Sequence, residues 1–185
     1  LGIERPASLF FVSPNQINYQ IPFDTALGPA AVTVISGDGT VSVGTIQIAV
    51  LAPGLFTANA DGKGVPAAQV QFVKPDGASR FEPVAQYDSA QQRFVPLPID
   101  LSAATDQAYL ILYGTGLRHR QDLSQVSVKI GGVTVPVLYA GKQPEYVGLD
   151  QINVLLPRNL IGRGEADVTL TVEGKSANTV RINVR

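Results

Sequence analysis

Cysteine, methionine and tryptophan are absent from the 185 residues, and histidine occurs once. Without cysteine there is no disulfide scaffold, no thiolate metal site and no cysteine nucleophile, although the cellular compartment stays open. A chain without methionine that begins at Leu1 is expected to start at an internal cut, with any signal peptide or upstream domain removed. Charge is also sparse: 16% of residues are charged, the net charge is -1, and lysine and arginine are scattered. Displacing phosphate counterions takes a concentrated basic face, so nucleic-acid binding is not expected, and no polybasic membrane patch occurs. No apolar run approaches the ~20 residues that cross a bilayer. Helix is nearly missing too, the best candidate, residues 102–107, amounting to one turn.

What remains is rich in apolar residues, 45% of the chain, enough for a packed core and against global disorder. It is also internally repetitive. Gln16-Ile17-Asn18-Tyr19-Gln20-Ile21-Pro22 returns as Gln151-Ile152-Asn153-Val154-Leu155-Leu156-Pro157, an offset of 135 residues (151 minus 16) with Gln, Ile, Asn and Pro kept. Gly28-Pro29-Ala30-Ala31-Val32-Thr33-Val34 reappears as Gly164-Glu165-Ala166-Asp167-Val168-Thr169-Leu170, and Thr45-Ile46-Gln47-Ile48 is echoed by Thr179-Val180-Arg181-Ile182. Such a self-match points to two copies of one module, whereas a catalytic site depends on residues that occur once.

Short β-branched and aromatic runs alternate with Gly, Pro, Asp and Asn from end to end, which predicts strands and turns. Ile17, Tyr19 and Ile21 alternate with polar neighbours, the period of a half-buried strand. Residues 30–35 and 45–50 predict two more strands, joined through Ser36-Gly37-Asp38-Gly39-Thr40, where Asp-Gly supplies positive φ. The second copy repeats this at 167–172 and 179–184 and has further strands before it at 109–113, 126–130 and 133–139. That count and spacing fit an immunoglobulin-like sandwich. In the first copy, Pro6 to Val12 corresponds to Pro136 to Ala140, and nothing precedes it to match 109–133. Between the copies, 67–73, 80–87 and 93–97 predict a meander that either completes the first module or bridges the two. The expected division is 1–57 for a first, N-terminally incomplete module, 58–107 for the meander and 108–185 for the second module.

Ser13-Pro14-Asn15-Gln16-Ile17-Asn18, Ala52-Pro53-Gly54-Leu55-Phe56-Thr57, Gly114-Thr115-Gly116-Leu117 and Gly148-Leu149-Asp150-Gln151-Ile152-Asn153 carry a family likeness. The 109–116 and 128–132 segments with the closing 164–184 hairpin resemble the immunoglobulin-like, plexin and transcription factor (IPT/TIG) fold. The ordered set of motifs more closely resembles the uncharacterised C-terminal domain of Solibacter and related acidobacterial exported proteins. The resemblance implies a module of large secreted or cell-surface proteins with no established biochemical role, and it carries over no catalytic residue. Members have a further strand and Gly-Gly hairpin before the Ser-Pro-x-Gln-Ile-Asn motif, which this chain lacks.

Candidate chemistry is thin. His119, between Arg118 and Arg120, has no Gly-x-Ser-x-Gly elbow to serve and reads as a loop histidine. Asn59 and Asp61 with Gly62 and Gly64 resemble a calcium loop but lack its remaining carboxylates, so a glycine-rich turn is the expectation. Asp100, Asp106 and Asp150 with Glu82 or Glu145 offer carboxylates for glycoside hydrolysis, with no spacing that unites two of them. Gly114-Thr115-Gly116 and Gly131-Gly132 sit between strands, where bulges and turns are expected rather than phosphate cradles. Gln16, Asn18, Gln151 and Asn153 are assigned a structural role common to both copies. Phe81, Tyr87, Phe94 and Tyr146 either pack the meander or lie exposed, where aromatic faces stack on sugar rings.

The expectation is an all-β chain of two immunoglobulin-like sandwich modules joined by a meander, without cofactor or metal. It is read as a non-enzymatic structural or adhesive module, extracellular or at the cell surface, contacting protein partners or cell-envelope components, with strand pairing available at the edge of the first module. A carbohydrate-binding module using Phe81, Tyr87, Phe94 and Tyr146 is the alternative. Core positions are Ile17, Ile21, Val32, Val34, Ile152, Leu156, Val168 and Leu170.

Overall fold

A computed structural model describes residues 2–185, so the expectation about Leu1 lies outside the described residues. Apart from two single-turn 3-10 segments, Leu123–Gln125 and Arg158–Leu160, all regular structure is β. The chain is all-β and divides into two compact units, Leu1–Val50 and Leu51–Arg185.

The C-terminal unit holds two six-stranded sheets and a two-stranded hairpin. The first runs Val137–Lys142, Asp150–Leu155, Gln107–Thr115, Ala68–Val73, Ser79–Pro83, with Gly54–Leu55 pairing onto the end of Gln107–Thr115. The second runs Pro98–Ile99, Val180–Val184, Gly164–Val172, Val126–Ile130, Val133–Val135, with Lys175–Ser176 beside Gly164–Val172. Every ladder is antiparallel except Pro98–Ile99 on Val180–Val184.

Alternation explains the sandwich-like packing. Leu110, Leu112, Ile152 and Val154 from one sheet and Val128, Ile130, Val168, Leu170, Ile182 and Val184 from the other form one buried cluster. Their polar neighbours along each strand face outward.

The segment expected to complete the first module or bridge the two belongs here instead. Ala68–Val73 pairs with Gln107–Thr115 over six positions, from Gln107 opposite Val73 to Leu112 opposite Ala68, and Val70 and Phe72 are buried in the common core. The boundary falls after Val50 because Leu51 and Leu55 are already buried in that core. The expected single strand over 80–87 is two. Ser79–Pro83 stays in the sheet, while Ala85–Asp88 turns into a separate hairpin with Arg93–Pro96. Pro83 has no N–H to extend a ladder, and Val84 after it is fully buried.

The N-terminal unit is two hairpins, Ser8–Ser13 with Gln16–Gln20 and Gly28–Ile35 with Val41–Ile48. At the turn of the second, Gly39 has φ +84, and Asp38 Oδ1 accepts from Thr40 N at 2.9 Å. The pairing reproduces that of the C-terminal unit. A bulge lies between Leu9 and Phe11, which face Tyr19 and Asn18; its counterpart lies between Val137 and Tyr139, which face Val154 and Asn153. Gly28 pairs with Ile48 and Ala30 with Ile46, as Gly164 pairs with Val184 and Ala166 with Ile182. The true equivalent of Ile46 is therefore Ile182, 136 residues on (182 minus 46), and the Thr45-Thr179 match in the sequence is two residues out of register.

Burial separates the copies. Ile152, Val168 and Leu170 are fully buried and Leu156 nearly so. Their counterparts Ile17, Val32 and Val34 are only partly covered, and Ile21 is exposed. Ile17, Val32 and Val34 thus keep the alternation of their counterparts without their burial, and Ile21, beyond the end of its strand, is exposed.

Candidate functional site

A concavity on the C-terminal unit lies beside the Ala85–Asp88/Arg93–Pro96 hairpin. It is an open groove of about 630 Å3 walled by Arg93 and Phe94 on the hairpin and by Glu165, Asp167 and Arg181 on the adjoining sheet. Two features build it. Tyr87 and Phe94 are cross-strand partners, and their rings meet edge to face with centroids 5.4 Å apart. Asn59 clamps the hairpin's backbone, its Nδ2 donating to Phe94 O at 3.0 Å while its Oδ1 accepts from Phe94 N at 2.8 Å. On the opposite wall Arg181 pairs with Asp167 at 2.7 Å and reaches Glu165 at 3.8 Å. The Asp167 carboxylate is the leading cause of the raised pKa of Arg181.

All four aromatic candidates are exposed, and the structure does not gather them into one site. Phe94 lines the groove and Tyr87 stands against it. Phe81 lies on the Ser79–Pro83 edge strand opposite Gln71, and Tyr146 in the 143–149 loop, where its N–H is held by Gln143 Oε1. Neither lines the groove.

The remaining candidates are mostly engaged elsewhere. His119 is exposed. Asp61 accepts from Lys63 N at 2.9 Å and Thr57 Oγ1 at 3.3 Å, closing the 57–63 turn, and the Lys63 N–H is the main reason its pKa is lowered. Glu82 and Asp106 do come together, but on the guanidinium of Arg80, at 2.8 and 3.0 Å. Arg80 itself lies over the Phe72 ring, 4.2 Å from its centroid. Asp100 is bound by Arg185 at 2.6 Å, which with the Ser102 N–H holds its pKa well below the usual carboxylate range. A smaller cleft of about 350 Å3 includes Asp100 and Asp106 in its wall, each already arginine-paired. Glu145 follows Gln143 in the exposed 143–149 loop. Among the described residues no three His, Asp or Glu side chains converge as a metal cluster.

Asp150, the first residue of the Asp150–Leu155 strand, is engaged in the interior rather than in a carboxylate pair. It is 1% exposed, its Oδ1 pairs with Arg118 Nε, and its Oδ2 accepts from Leu117 N at 3.1 Å. Arg118 Nη2 also donates to Leu149 O at 2.7 Å. This knot sits at the end of the Gln107–Thr115 strand, where Gly114 and Thr115 stay in the ladder rather than forming the expected bulge or turn and the glycines serve a close approach: a Cβ at Gly114 would overlap Gly54 O, and one at Gly116, which has φ +79, would overlap Ala52 O. The motif is a backbone crossing between strands, not a phosphate cradle.

The repeated Gln-Ile-Asn motif resolves the same way in both copies. Gln16 Nε2 donates to Asn18 Oδ1 at 2.7 Å and Gln151 Nε2 to Asn153 Oδ1 at 2.8 Å, a rung along one face of each strand beside the bulge. Two contacts lay outside the sequence reading. Asn178 joins Leu55 N, Leu55 O and Gly62 O at 2.8 to 3.0 Å, tying 54–62 to the last hairpin; Arg118 finds Asp150 across 32 residues. Each pairs residue types that are common in turns, so only three-dimensional proximity distinguishes them.

The strands of the N-terminal unit also expose large apolar side chains. Leu9, Phe10, Phe11, Val12, Ile35 and Val43 are all exposed on its strands. No family model matches the chain, and neither does any curated protein or solved structure.

Proposed function

We propose that the chain is a non-catalytic β module of a secreted or cell-surface bacterial protein, working through protein contacts and fixed spacing. The observation that carries this reading is the apolar surface of the N-terminal unit, with Leu9 to Val12 exposed in one run. Side chains alternate between the faces of a strand, so this run leaves apolar side chains exposed on both faces of the hairpin, and exposed apolar surface beyond scattered single residues marks interaction sites. The immunoglobulin-like and IPT/TIG reading, and with it the likeness to the Solibacter-type C-terminal domain, is supported by strand order. Ala68–Val73, Gln107–Thr115, Asp150–Leu155 and Val137–Lys142 share one sheet, while Val126–Ile130, Gly164–Val172 and Val180–Val184 share the other. The reading is supported by taking these seven strands in chain order, which gives the ABED and CFG grouping expected of an immunoglobulin domain, with Ser79–Pro83, Val133–Val135 and Pro98–Ile99 as additional outer strands. Export is supported by that likeness alone.

The second reading, a carbohydrate-binding module, is favoured by one observation: Phe94 walls a groove that also offers Arg93, Asp167 and Arg181 as hydrogen-bonding groups. An aromatic face beside fixed polar groups suits a sugar ring.

One experiment separates the readings. The full chain is immobilised and presented with envelope proteins and with envelope polysaccharides, beside a Phe10→Lys/Val12→Lys variant and a Tyr87→Ala/Phe94→Ala variant. Protein binding lost only in the lysine variant is expected. Glycan binding lost only in the alanine variant puts the second reading first, and turnover of any presented polymer overturns both.

A further inference from the structure

We propose that the N-terminal unit is half of a sandwich that is completed by two strands donated from another polypeptide segment. This inference rests on the contact reading above and names the partner.

The template is inside the chain. In the C-terminal unit, the strand equivalent to Gln16–Gln20 is Asp150–Leu155, and its second edge is filled by Gln107–Thr115, from Tyr109 opposite Leu155 to Gly114 opposite Asp150. The strand equivalent to Gly28–Ile35 is Gly164–Val172, and its second edge is filled by Val126–Ile130, from Val126 opposite Val172 to Ile130 opposite Val168. In the N-terminal unit both hairpins are two-stranded, so among the described residues both of these edges are open. The shared bulge, pairing register and Gln-Asn rung make the two slots equivalent rather than merely similar.

The faces agree. Ala166, Val168 and Leu170 point into the C-terminal core and are buried. Ala30, Val32 and Val34 alternate in the same phase and are only half-buried; Ile46 lies opposite Ala30 and Ile48 opposite Gly28, in the positions of Ile182 and Val184. In the C-terminal unit the two inserted strands add Ala108, Leu110 and Leu112 from one and Val126, Val128 and Ile130 from the other to the buried cluster that holds Ala166, Val168 and Leu170.

Edge chemistry supplies an independent argument. Open strands are ordinarily protected against pairing by charges, proline or brevity. The outer strands of the C-terminal unit obey this: Ser79–Pro83 carries Arg80, Glu82 and Pro83, Val137–Lys142 ends in Lys142, and Pro98–Ile99 is two residues long. The four strands of the N-terminal unit contain no charged residue; Glu4, Arg5, Asp24 and Asp38 lie in its loops and leading segment, and the one proline, Pro29, lies at the start of Gly28–Ile35, outside the stretch equivalent to 168–172. Long uncharged edges beside a half-covered apolar face are receptive to strand addition, in which backbone hydrogen bonds hold the guest and alternate side chains select it.

The chemistry of the guest follows. It offers one strand with small or large apolar residues at every second position and a glycine near its end, in the pattern of Ala108, Leu110, Leu112 and Gly114. A second strand has β-branched residues at every second position, in the pattern of Val126, Val128 and Ile130.

The test uses the full chain and a synthetic peptide with the sequence of residues 107–135, which carries both strands. Saturable one-to-one binding is expected. With the peptide at about 100 times its Kd, amide exchange within Gln16–Gln20 and Gly28–Ile35 should slow roughly 100-fold, with Asp150–Leu155 unchanged. A peptide carrying Leu110→Asp and Leu112→Asp should not bind, and an Ile17→Asp chain should not accept the parent peptide while its C-terminal unit melts as before. The proposal is overturned by an absence of protection at those two strands, by protection that survives in the aspartate peptide, or by self-association of the chain through Leu9 to Val12 that excludes the peptide. Failure here with retained loss of envelope-protein binding in the Phe10→Lys/Val12→Lys variant removes the donated strands and leaves the contact reading standing.

Discussion

Ile152→Asp is expected to unfold the C-terminal unit, while Ile17→Asp, the same change at the equivalent position, should leave that unit's melting transition where it is. Ile152 is fully buried among apolar side chains from both sheets. Truncating such a residue to alanine already costs about 2–5 kcal/mol. A carboxylate adds the cost of burying a polar group with no partner, which brings the total close to the 5–15 kcal/mol that holds a typical domain together. Ile17 keeps the alternation, the bulge and the neighbouring Gln-Asn rung but is only half-covered, so its carboxylate stays hydrated. Calorimetry of the two variants in the full chain measures this. A main transition lost in Ile152→Asp and retained in Ile17→Asp is the expected pair; equal losses would mean that the two copies have comparable cores.

Asp150→Ala should destabilise the C-terminal unit by about 3–5 kcal/mol, the usual effect of removing one member of a buried ion pair. The loss is large because of what stays behind: the Arg118 guanidinium, 30% exposed, and the Leu117 N–H, both deprived of their acceptor. Asp150→Asn should cost less, since an amide oxygen can still accept from Leu117 N while the charge is lost. The counterpart of Asp150 in the first copy is Asn15, which is exposed at a two-residue turn and faces no arginine. Asn15→Ala should therefore stay within about 0.5 kcal/mol of the parent. Urea denaturation gives all three values, and an Asp150→Ala midpoint equal to the parent's would show that the knot does not hold the strand end.

Strand periodicity made most of the β structure legible in advance, because alternation at Ile17, Tyr19 and Ile21 and at Val168, Leu170 and Val172 reports directly on a pleated sheet with one covered face. Periodicity is silent about which sheet covers that face. Identical motifs therefore led to equal burial being expected at Ile17 and Ile152, whereas the cluster that buries Ile152 also draws on 51–101, 107–115 and 126–130, segments paired or packed with the C-terminal copy. The meander was placed with the wrong neighbour for a related reason. Ala68–Val73 pairs with a strand 39 residues further on (107 minus 68), and local pattern carries no information about a ladder partner at that distance. At the candidate site, Tyr87 and Phe94 were recoverable as a pair from hairpin register, while Phe81 and Tyr146 were grouped with them by composition alone. Asn59 was legible as a turn residue, but its bidentate grip on Phe94 is set by tertiary approach across 35 residues.

The claim on which this account rests is that residues 2–50 repeat the strand pairing of 137–184 without its core. Native-state hydrogen exchange on the full chain tests it most directly, since exchange from a completed core requires opening of the whole unit and exchange from an uncovered hairpin does not. The account predicts slow, globally limited exchange across Asp150–Leu155 and Gly164–Val172 and exchange faster by orders of magnitude across Gln16–Gln20 and Gly28–Ile35. Equal protection of the two pairs of strands in the unliganded chain would contradict it.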